Sequence, residues 1–199
     1  MPTPTPAPDP LLRVALEIES YVAQAGWDQR PRLFGLVPTA ELLAVADAGP
    51  RADTTSDRET GPESEGGAGD GGAGDGGAGP GDDGGLSAVE QDWTPSADLE
   101  ADLAAVAWPE TVSGVALVVE RLVVPPEAER GLPSDPDAAL AALAAHPDRR
   151  DVRLVAAVTR AGGRMCLLRQ KAYDSPEMVA HGPEIATGLL DALAATLVD

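Results

Sequence analysis

The longest apolar pattern in the chain runs from Val115 to Val124, where β-branched and aliphatic residues follow one another with little interruption. In a strand, alternate side chains point to opposite faces, and here both sets are mostly apolar. Pro109 and Gly114 mark its start, and Pro125 stops it because proline cannot donate to a β-ladder. The pattern predicts a central strand that is covered on both faces.

Apolar residues at helical spacing predict five helices around this strand. We expect them from Asp9-Pro10 to Gly26, from about Ala40 to Ala46, from a Ser96 cap to Val106, from Asp135-Pro136 to His146, and from Gly182-Pro183 onward. Asp and Ser accept hydrogen bonds from free N–H groups at a helix start, and proline fits the first helical position.

Shorter alternating segments predict strands at residues 32–37, 151–159 and 164–170, and Gly162-Gly163 forms a hairpin turn between the last two. The order of elements indicates an α+β fold, a small twisted and mainly antiparallel sheet with helices packed on it. The connection through the helix that follows Asp135 leaves a parallel and an antiparallel arrangement open.

Residues 49–86 differ in kind from the rest of the chain. From Arg51 to Gly85 there are nine acids, two bases and no aromatic or large aliphatic residue. Such a segment buries too little apolar surface to offset its ordering entropy, so we predict a disordered acidic Gly/Asp-rich insert. It interrupts one domain, whose parts are residues 9–48 and 87–199, and a disordered tail at 1–8 precedes them.

The net charge of -19 disfavours nucleic acid and anionic lipid surfaces as partners. The N-terminal residues carry no readable secretory signal, and the longest apolar run is far shorter than the roughly 20 residues that span a bilayer. A single cysteine, Cys166, fits a reducing compartment. We therefore expect a cytoplasmic protein without membrane insertion.

The motifs that resemble known sites are all weak. Gly67 to Gly72 matches G-x-G-x-x-G, but it lacks the strand and helix that a dinucleotide site needs, and its acidic flanks repel phosphate. His146, His181 and Cys166 lie apart, so no metal ligand set is expected, and Cys166 is interpreted as a buried, inert thiol. We assign no catalytic, cofactor-binding or metal-binding residue.

Glu120 and Arg121 are the charged residues of the central strand, and they point to opposite faces. A buried charge is costly unless it is paired, so each either pairs with a neighbouring strand, for instance with Arg153, or lines a pocket. Trp27 and Trp108 complete the set of surface or pocket candidates. We expect the Trp108 ring to close one end of the core, with only its indole N–H near solvent.

Three segments carry a resemblance to a known family: GWDQRPRLFGLVPTAELL (26–43), WPETVSGVALVVERLVVPPEAE (108–129) and AAHPDRRDVRLVAAVTRAGGRMCLLR (144–169). Together they resemble an actinobacterial family of small proteins with no established activity. The Gly/Asp-rich insert departs from that family. The order of elements is also similar to type III secretion chaperones and related adaptors, and this analogy of fold alone implies a binding module that is often dimeric.

Two functions are compatible with these observations. The absence of a catalytic constellation favours a non-enzymatic protein-binding or adaptor module with a protein partner, which includes a homodimer. The alternative is a small-ligand-binding or enzymatic domain whose pocket uses Arg121 or Glu120 with Trp27 or Trp108. A cleft in which these side chains converge would favour the alternative, whereas an exposed apolar patch or a free sheet edge would favour the binding module.

Overall fold

The predicted central strand is β3 (Gly114–Val123), and both of its faces are buried over most of its length. The structure is a computed structural model that describes residues 9–47 and 84–198. Val115, Leu117 and Val119 pack into one apolar cluster, whereas Ala116 and Val118 pack into another. The strand therefore organises two core layers, one on each side of the sheet.

Within the described residues, six strands form one antiparallel sheet in the order β2-β1-β3-β4-β5-β6. Besides β3, they are β1 (Arg32–Pro38), β2 (Leu86–Glu90), β4 (Arg150–Thr159), β5 (Arg164–Gln170) and β6 (Ala180–Gly182). The predicted α+β class is confirmed. The connection that the sequence left open is antiparallel, since β3 and β4 pair over their full lengths.

The helices of the described residues flank this sheet. They are α1 (Pro10–Ala23), α2 (Thr39–Asp47), α3 (Leu99–Ala104), α4 (Pro126–Glu129), α5 (Pro136–Ala145) and α6 (Thr187–Ala195), with 3-10 turns at Lys171–Tyr173 and Pro176–Met178. The longest, α1, starts as predicted: Asp9 accepts a hydrogen bond from the N–H of Leu11 at 2.9 Å, and Pro10 follows the cap.

The two faces of the sheet are covered by different helices. On the face that we call the α1 face, Val14, Ile18 and Val22 of α1 pack against Phe34 and Val155. On the opposite face, called the α6 face, Leu103 of α3 and two leucines of α6 pack against the other side chains of β3 and β4. This sandwich of helix, sheet and helices is what the mostly apolar faces of β3 and β4 require.

Two strands and the short helix α4 were not predicted, and the starts of two helices differ from the expectation. Neither β2 nor β6 was predicted, and Leu86, which the sequence placed in the insert, begins β2. The cap of α3 is Asp98 rather than Ser96, with the Asp98 carboxylate accepting from the N–H of Ala101 at 3.1 Å.

The last helix also begins later than predicted. Residues 183–186 form a turn, and α6 starts at Thr187. Ala186 adopts a left-handed conformation with φ of 52°, which interrupts the helical path that Gly182-Pro183 was expected to open. The tail at 1–8, the Gly67–Gly72 motif and most of the predicted insert lie outside the described residues.

Candidate functional site

Three charged residues form a row across the α1 face of the sheet. Glu120 of β3 lies opposite Arg153 of β4, and Arg153 lies opposite Arg169 of β5. The row starts where the apolar part of β3 ends, beyond the C-terminal turn of α1. Strand register alone therefore brings one carboxylate and two guanidinium groups together on a buried face.

The pair of Glu120 and Arg153 that the sequence suggested is present. An Nη2–Oε1 distance of 2.8 Å joins them, and the Arg153 side chain is only 1% exposed. Arg153 also donates to the carbonyl oxygen of Gly26, and its guanidinium lies 4.5 Å from the centre of the Trp27 ring. Because burial excludes water, these contacts supply the stabilisation that the charge needs. Its Nη1 atom has no hydrogen-bond partner among the described residues.

Arg169 is neutralised by a second, fully buried carboxylate. Its Nε and Nη2 atoms each donate to one oxygen of Glu19 at 2.6 Å, and its Nη1 donates to Asp174 at 3.0 Å. The hydrogen bond to Glu19 raises the pKa of Arg169, with a smaller contribution from Asp174. This forked geometry fixes α1 to β5 and is the strong form of an arginine–carboxylate pair.

The loop after α1 closes over the row of charges. Gly26 and Asp28 both have positive φ, 80° and 66°. The backbone N–H of Asp28 donates to the carboxylate of Glu120 at 2.7 Å. The carboxylate of Asp28 lies 3.3 Å from Lys171 Nζ. A non-glycine residue in the left-handed region is strained, so these contacts hold a conformation that the chain alone would disfavour.

Trp27 links this loop to the end of β5. Its indole N–H donates to Asp174 at 2.9 Å. That hydrogen bond, followed by the bond from Arg169, lowers the pKa of Asp174. We call the resulting set of interactions the charge network; its members are Glu19, Trp27, Asp28, Glu120, Arg153, Arg169, Lys171 and Asp174.

The structure brings two of the four candidate residues together. Trp27 and Glu120 both contact Arg153 in the charge network. Arg121 is exposed and points to the α6 face, and Trp108 lies near the opposite end of β3, before the strand begins. Because the four side chains do not converge, the cleft that would favour a ligand site at the central strand is not formed by them.

Trp108 lies between the core and a groove on the α6 face. Its ring packs against Gly35, where an added Cβ would come within 3.2 Å of Cζ3. Its indole N–H, which was expected near solvent, donates to Thr196 Oγ1 at 3.1 Å. Thr196 is buried next to the end of α6, so the bond ties the start of β3 to that helix.

A groove of about 660 Å³ opens between α3 and α6 beside this tryptophan. We call it the α3–α6 groove; its lining residues are mainly apolar, namely Leu103, Ala104, Val106, Ala107, Trp108, Ala192, Ala195 and Val198, with Glu100 and Thr196 as the polar members. Arg160 braces the adjoining backbone by donating to the carbonyl oxygens of Trp108, Val112 and Leu197. Arg160 therefore holds the backbone next to the groove in place, and the groove lining is mainly apolar.

Both histidines and the cysteine lie away from this groove. Cys166 is buried, and burial raises the pKa of its thiol to about 12. His146 accepts a hydrogen bond from the N–H of Asp148 through Nδ1, whereas His181 is exposed on β6. Within residues 9–47 and 84–198, no cluster of His, Cys, Asp and Glu has the geometry of a metal site.

The pairing of Glu120 with Arg153 was predicted from the sequence, whereas the participation of Glu19, Arg169 and Asp174 was not. A signal for Glu19 was present, because it falls four residues after Ala15 and three before Val22, within the apolar stripe of α1. An acid in such a stripe indicates a buried partner. That partner became identifiable only once the register placed Arg169 beneath α1.

The architecture and these contacts define an α+β protein with a buried charge network on one sheet face and an apolar groove on the other. The chain belongs to the PPA1309-like protein family, which matches residues 11–198. No curated protein and no solved structure matches the chain. Among the described residues, the longest helix has 14 residues, and none is long and apolar enough to cross a bilayer.

Proposed function

We propose that this protein is a non-enzymatic protein-binding module, and that the α3–α6 groove binds a helical segment of its partner. The observation that carries the proposal is the groove itself, about 660 Å³ in volume and lined mainly by aliphatic side chains around Trp108. An apolar groove between two helices is the surface into which an amphipathic helix places its apolar face.

The residues of the groove suit a helix in particular. Ala104 and Ala107 line one wall, and Ala192 and Ala195 line the other. Small side chains allow helix axes to approach closely, so a third helix can pack into the space between them. Trp108 supplies the large aromatic surface typical of binding hot spots, and its N–H is already bonded to Thr196, so an apolar partner leaves no buried donor unsatisfied.

The alternative is a small-ligand-binding or enzymatic domain, since the volume of the groove lies within the usual range for such pockets. Ligand sites also contain several convergent polar groups that orient the ligand. Here Thr196 Oγ1 is engaged by Trp108, and Glu100 is exposed at the start of α3. This shortage of directed polar groups favours the binding of an apolar helix.

The proposal places the module in the cytoplasm of an actinobacterium. A lone, buried Cys166 is compatible with a reducing compartment. The net charge of -19 opposes binding to phosphate backbones and anionic lipid, so a protein is the partner class that we propose.

A photo-crosslinking amino acid at Ala104 tests the proposal in the host cell. Ala104 is exposed and lines the groove, whereas Ala141 is exposed on α5 and serves as the matched control position. We expect one polypeptide to crosslink from position 104 and not from 141, with the attachment point in an amphipathic helix. A small molecule attached at 104 would support the alternative, and identical products from both positions would contradict the proposal.

A pair of charge substitutions provides the second arm. Ala195→Glu puts a carboxylate into the apolar groove, and Ala141→Glu makes the same change on α5. Both positions are exposed, so both variants should fold with unchanged thermal midpoints. The crosslinked partner should bind Ala141→Glu normally and Ala195→Glu at least about tenfold more weakly, because the carboxylate would have to be desolvated. Equal affinities would contradict a docking role for the groove.

A further inference from the structure

Among residues 9–47 and 84–198, nothing pairs with the outer side of β2, which is an open sheet edge. Among the described residues, β2 pairs with β1 and with no other strand. The N–H of Gln91 donates to Leu33, and the carbonyl oxygen of Gly85 accepts from Thr39, so the odd-numbered residues of this segment bond to β1. The alternation of an antiparallel ladder then directs the N–H and C=O groups of Leu86, Ala88 and Glu90 outward.

The two edges of the sheet differ in how they are protected. At the far edge, β6 has three residues and is followed directly by Pro183. A short edge strand next to a proline is a common device against unwanted strand pairing. By contrast, β2 has five residues, Leu-Ser-Ala-Val-Glu, without a proline, a lysine or a bulge. The β2 edge is therefore able to pair with a strand of another polypeptide.

Exposed apolar side chains surround the β2 edge. Val89 is 40% exposed on β2 itself. Tyr21 of α1 and Leu42 and Leu43 of α2 are also exposed, and both helices contact β2. Val89 lies on the α6 face, whereas Tyr21 contacts Glu90 on the α1 face, so exposed apolar side chains are present on both sides of the edge strand.

The charge within β2 is compensated although the chain is strongly acidic. Glu90 is the one charged residue in β2, and Arg32 holds it with a fork of 2.6 and 2.7 Å. That hydrogen bond lowers the pKa of Glu90, so the pair stays ionised and mutually compensated. The exposed Glu17 of α1 lines a groove together with Ser87, Ala88 and Glu90 of β2. Because the chain carries a net charge of -19, a compensated Glu90 opposes the approach of a second copy less than an unpaired carboxylate would.

We propose that a second copy of this chain occupies the β2 edge, with the two β2 strands antiparallel about a two-fold axis at Ala88. This register pairs all five residues and joins the two six-stranded sheets into one. It places the smallest side chain of the strand, Ala88, against its own copy, and Val89 against Ser87. Glu90 faces Leu86 of the second copy, so no like charges lie directly opposite.

Such an interface is self-complementary, as two-fold symmetry requires. Two five-residue strands alone bury less than the roughly 1,200 Å² of a stable interface. The exposed Tyr21, Leu42 and Leu43 provide the remainder, since α1 and α2 flank the strand. The dimer leaves the α3–α6 groove free, so it neither depends on nor replaces the proposed partner site.

Sedimentation equilibrium of the full chain and three variants tests the proposal. Ala88→Pro removes the outward N–H that would pair across the axis, without removing a donor from the β1 ladder. Val89→Lys introduces the charge with which proteins protect sheet edges. Leu140→Lys is the matched control, because Leu140 is 63% exposed on α5, away from β2.

We expect the wild type and Leu140→Lys to be dimers with the same dissociation constant. Ala88→Pro and Val89→Lys should raise that constant at least about tenfold, with thermal midpoints of unfolding within a few degrees of the wild type. Raising the ionic strength should strengthen the dimer by screening the net repulsion. A monomeric wild type at millimolar concentration, or a dimer that neither β2 variant weakens, would overturn the proposal.

Disulfide formation tests the register independently. In the proposed pairing, the two Ala88 Cα atoms lie about 5.5 Å apart, within the range of a disulfide. Ala88→Cys should oxidise to a covalent dimer, whereas Val89→Cys, which faces Ser87 of the second copy, should do so at least about tenfold more slowly. Cys166 is buried with a raised pKa, so it does not compete. Equal rates would show that the copies meet elsewhere.

Discussion

Glu19 and Arg169 depend on one another for their charge compensation, since their side chains are only 4% and 5% exposed. Arg169→Met would leave Glu19 buried without the fork that neutralises it. We expect this variant to lose about 3–5 kcal/mol of unfolding free energy, as measured by urea denaturation. The double variant Glu19→Leu/Arg169→Met removes both charges and should recover most of that loss.

Arg164→Met provides the matched control, because it breaks an ion pair with Asp191 in which both side chains are substantially exposed. We expect this change to cost less than about 1 kcal/mol. A similarly small loss in Arg169→Met would mean that the charge network contributes nothing specific to stability. A double variant no more stable than Arg169→Met would show that the loss comes from packing rather than from an orphaned charge.

Trp27 gives the charge network a dependence on pH. Its indole N–H is the leading cause of the lowered pKa of Asp174, ahead of Arg169. A carboxyl whose pKa is lower in the folded state stabilises the fold above its unfolded pKa of about 3.9. That contribution disappears as the pH falls through the folded pKa. Trp27→Phe should therefore move the pKa of Asp174 upward, and NMR titration of the Asp174 carboxyl measures it.

The stability that Asp174 contributes should be smaller in Trp27→Phe, and its loss should be complete at a higher pH than in the wild type, because the folded and unfolded pKa values lie closer together. Trp93→Phe is the matched substitution, since Trp93 packs against the cluster on the α6 face. An Asp174 pKa that stays lowered in Trp27→Phe would assign the effect to Arg169 alone.

Among the elements, β3 contributes side chains to both core layers, so a charge in its centre should prevent folding. Val119 is 2% exposed and packs within the apolar cluster on the α6 face. We expect Val119→Asp to be insoluble or to lack a cooperative unfolding transition, because the carboxylate is desolvated without a partner. Leu140→Asp, on the exposed surface of α5, should fold normally, and circular dichroism during heating distinguishes the two.

Trp108 joins β3 to α3 and α6. Its ring packs on Gly35 and its N–H bonds to Thr196, so Trp108→Ala should cost about 3–5 kcal/mol in chemical denaturation. Part of the ring lines the groove, which places the expected loss at the lower end of that range. An unchanged midpoint and slope would show that the tryptophan belongs to the binding surface alone.

The long elements were predictable because their periodicity extends over many residues. The β4–β5 hairpin was predicted from alternating apolar residues and a glycine turn. Helix α1 was predicted from its helical spacing and its cap. β2 and β6 did not, since five and three residues at sheet edges bury few side chains and leave little pattern. The start of α6 was misjudged because Gly182-Pro183 resembles a helix start, whereas the chain forms a turn that ends at Ala186.

The candidate sites were less predictable than the elements. Glu120 and Arg153 were found because charges in an apolar strand require partners. Arg169 and Asp174 reach the network only through the β4–β5 register and the 3-10 turn that follows β5. The α3–α6 groove depends on the distance at which two short helices pack. No local sequence pattern encodes the separation of α3 and α6. Ion pairs between strands are therefore easier to predict from a single sequence than cavities are.

At the scale of the whole molecule, we expect the chain to fold as one unit without the acidic segment. Residues 51–83 contain no aromatic or large aliphatic residue, so their removal should subtract no core. A short Gly-Ser linker in their place retains Gly85, whose carbonyl oxygen accepts from the N–H of Thr39. Calorimetry should show one cooperative transition with a midpoint within a few degrees of the wild type.

Two separate transitions in that experiment would mean that the two sequence parts form independent domains. A midpoint lowered by more than a few degrees would correspond to roughly 1 kcal/mol or more, and it would assign a structural role to the segment. A deletion of residues 51–90 is the contrasting control, because it also removes β2 and should destabilise the sheet.

The position of β1 has a consequence for synthesis on the ribosome. β1 lies between β2 and β3, and α1 packs on β4 and β5, so α1 and β1 find most of their partners in sequence that is translated much later. The N-terminal segment must therefore emerge and wait until β5 has been made. A chain stalled before Gln170 would expose β1 and the apolar stripe of α1 to proteases and chaperones, so these elements remain unprotected until β5 has been translated.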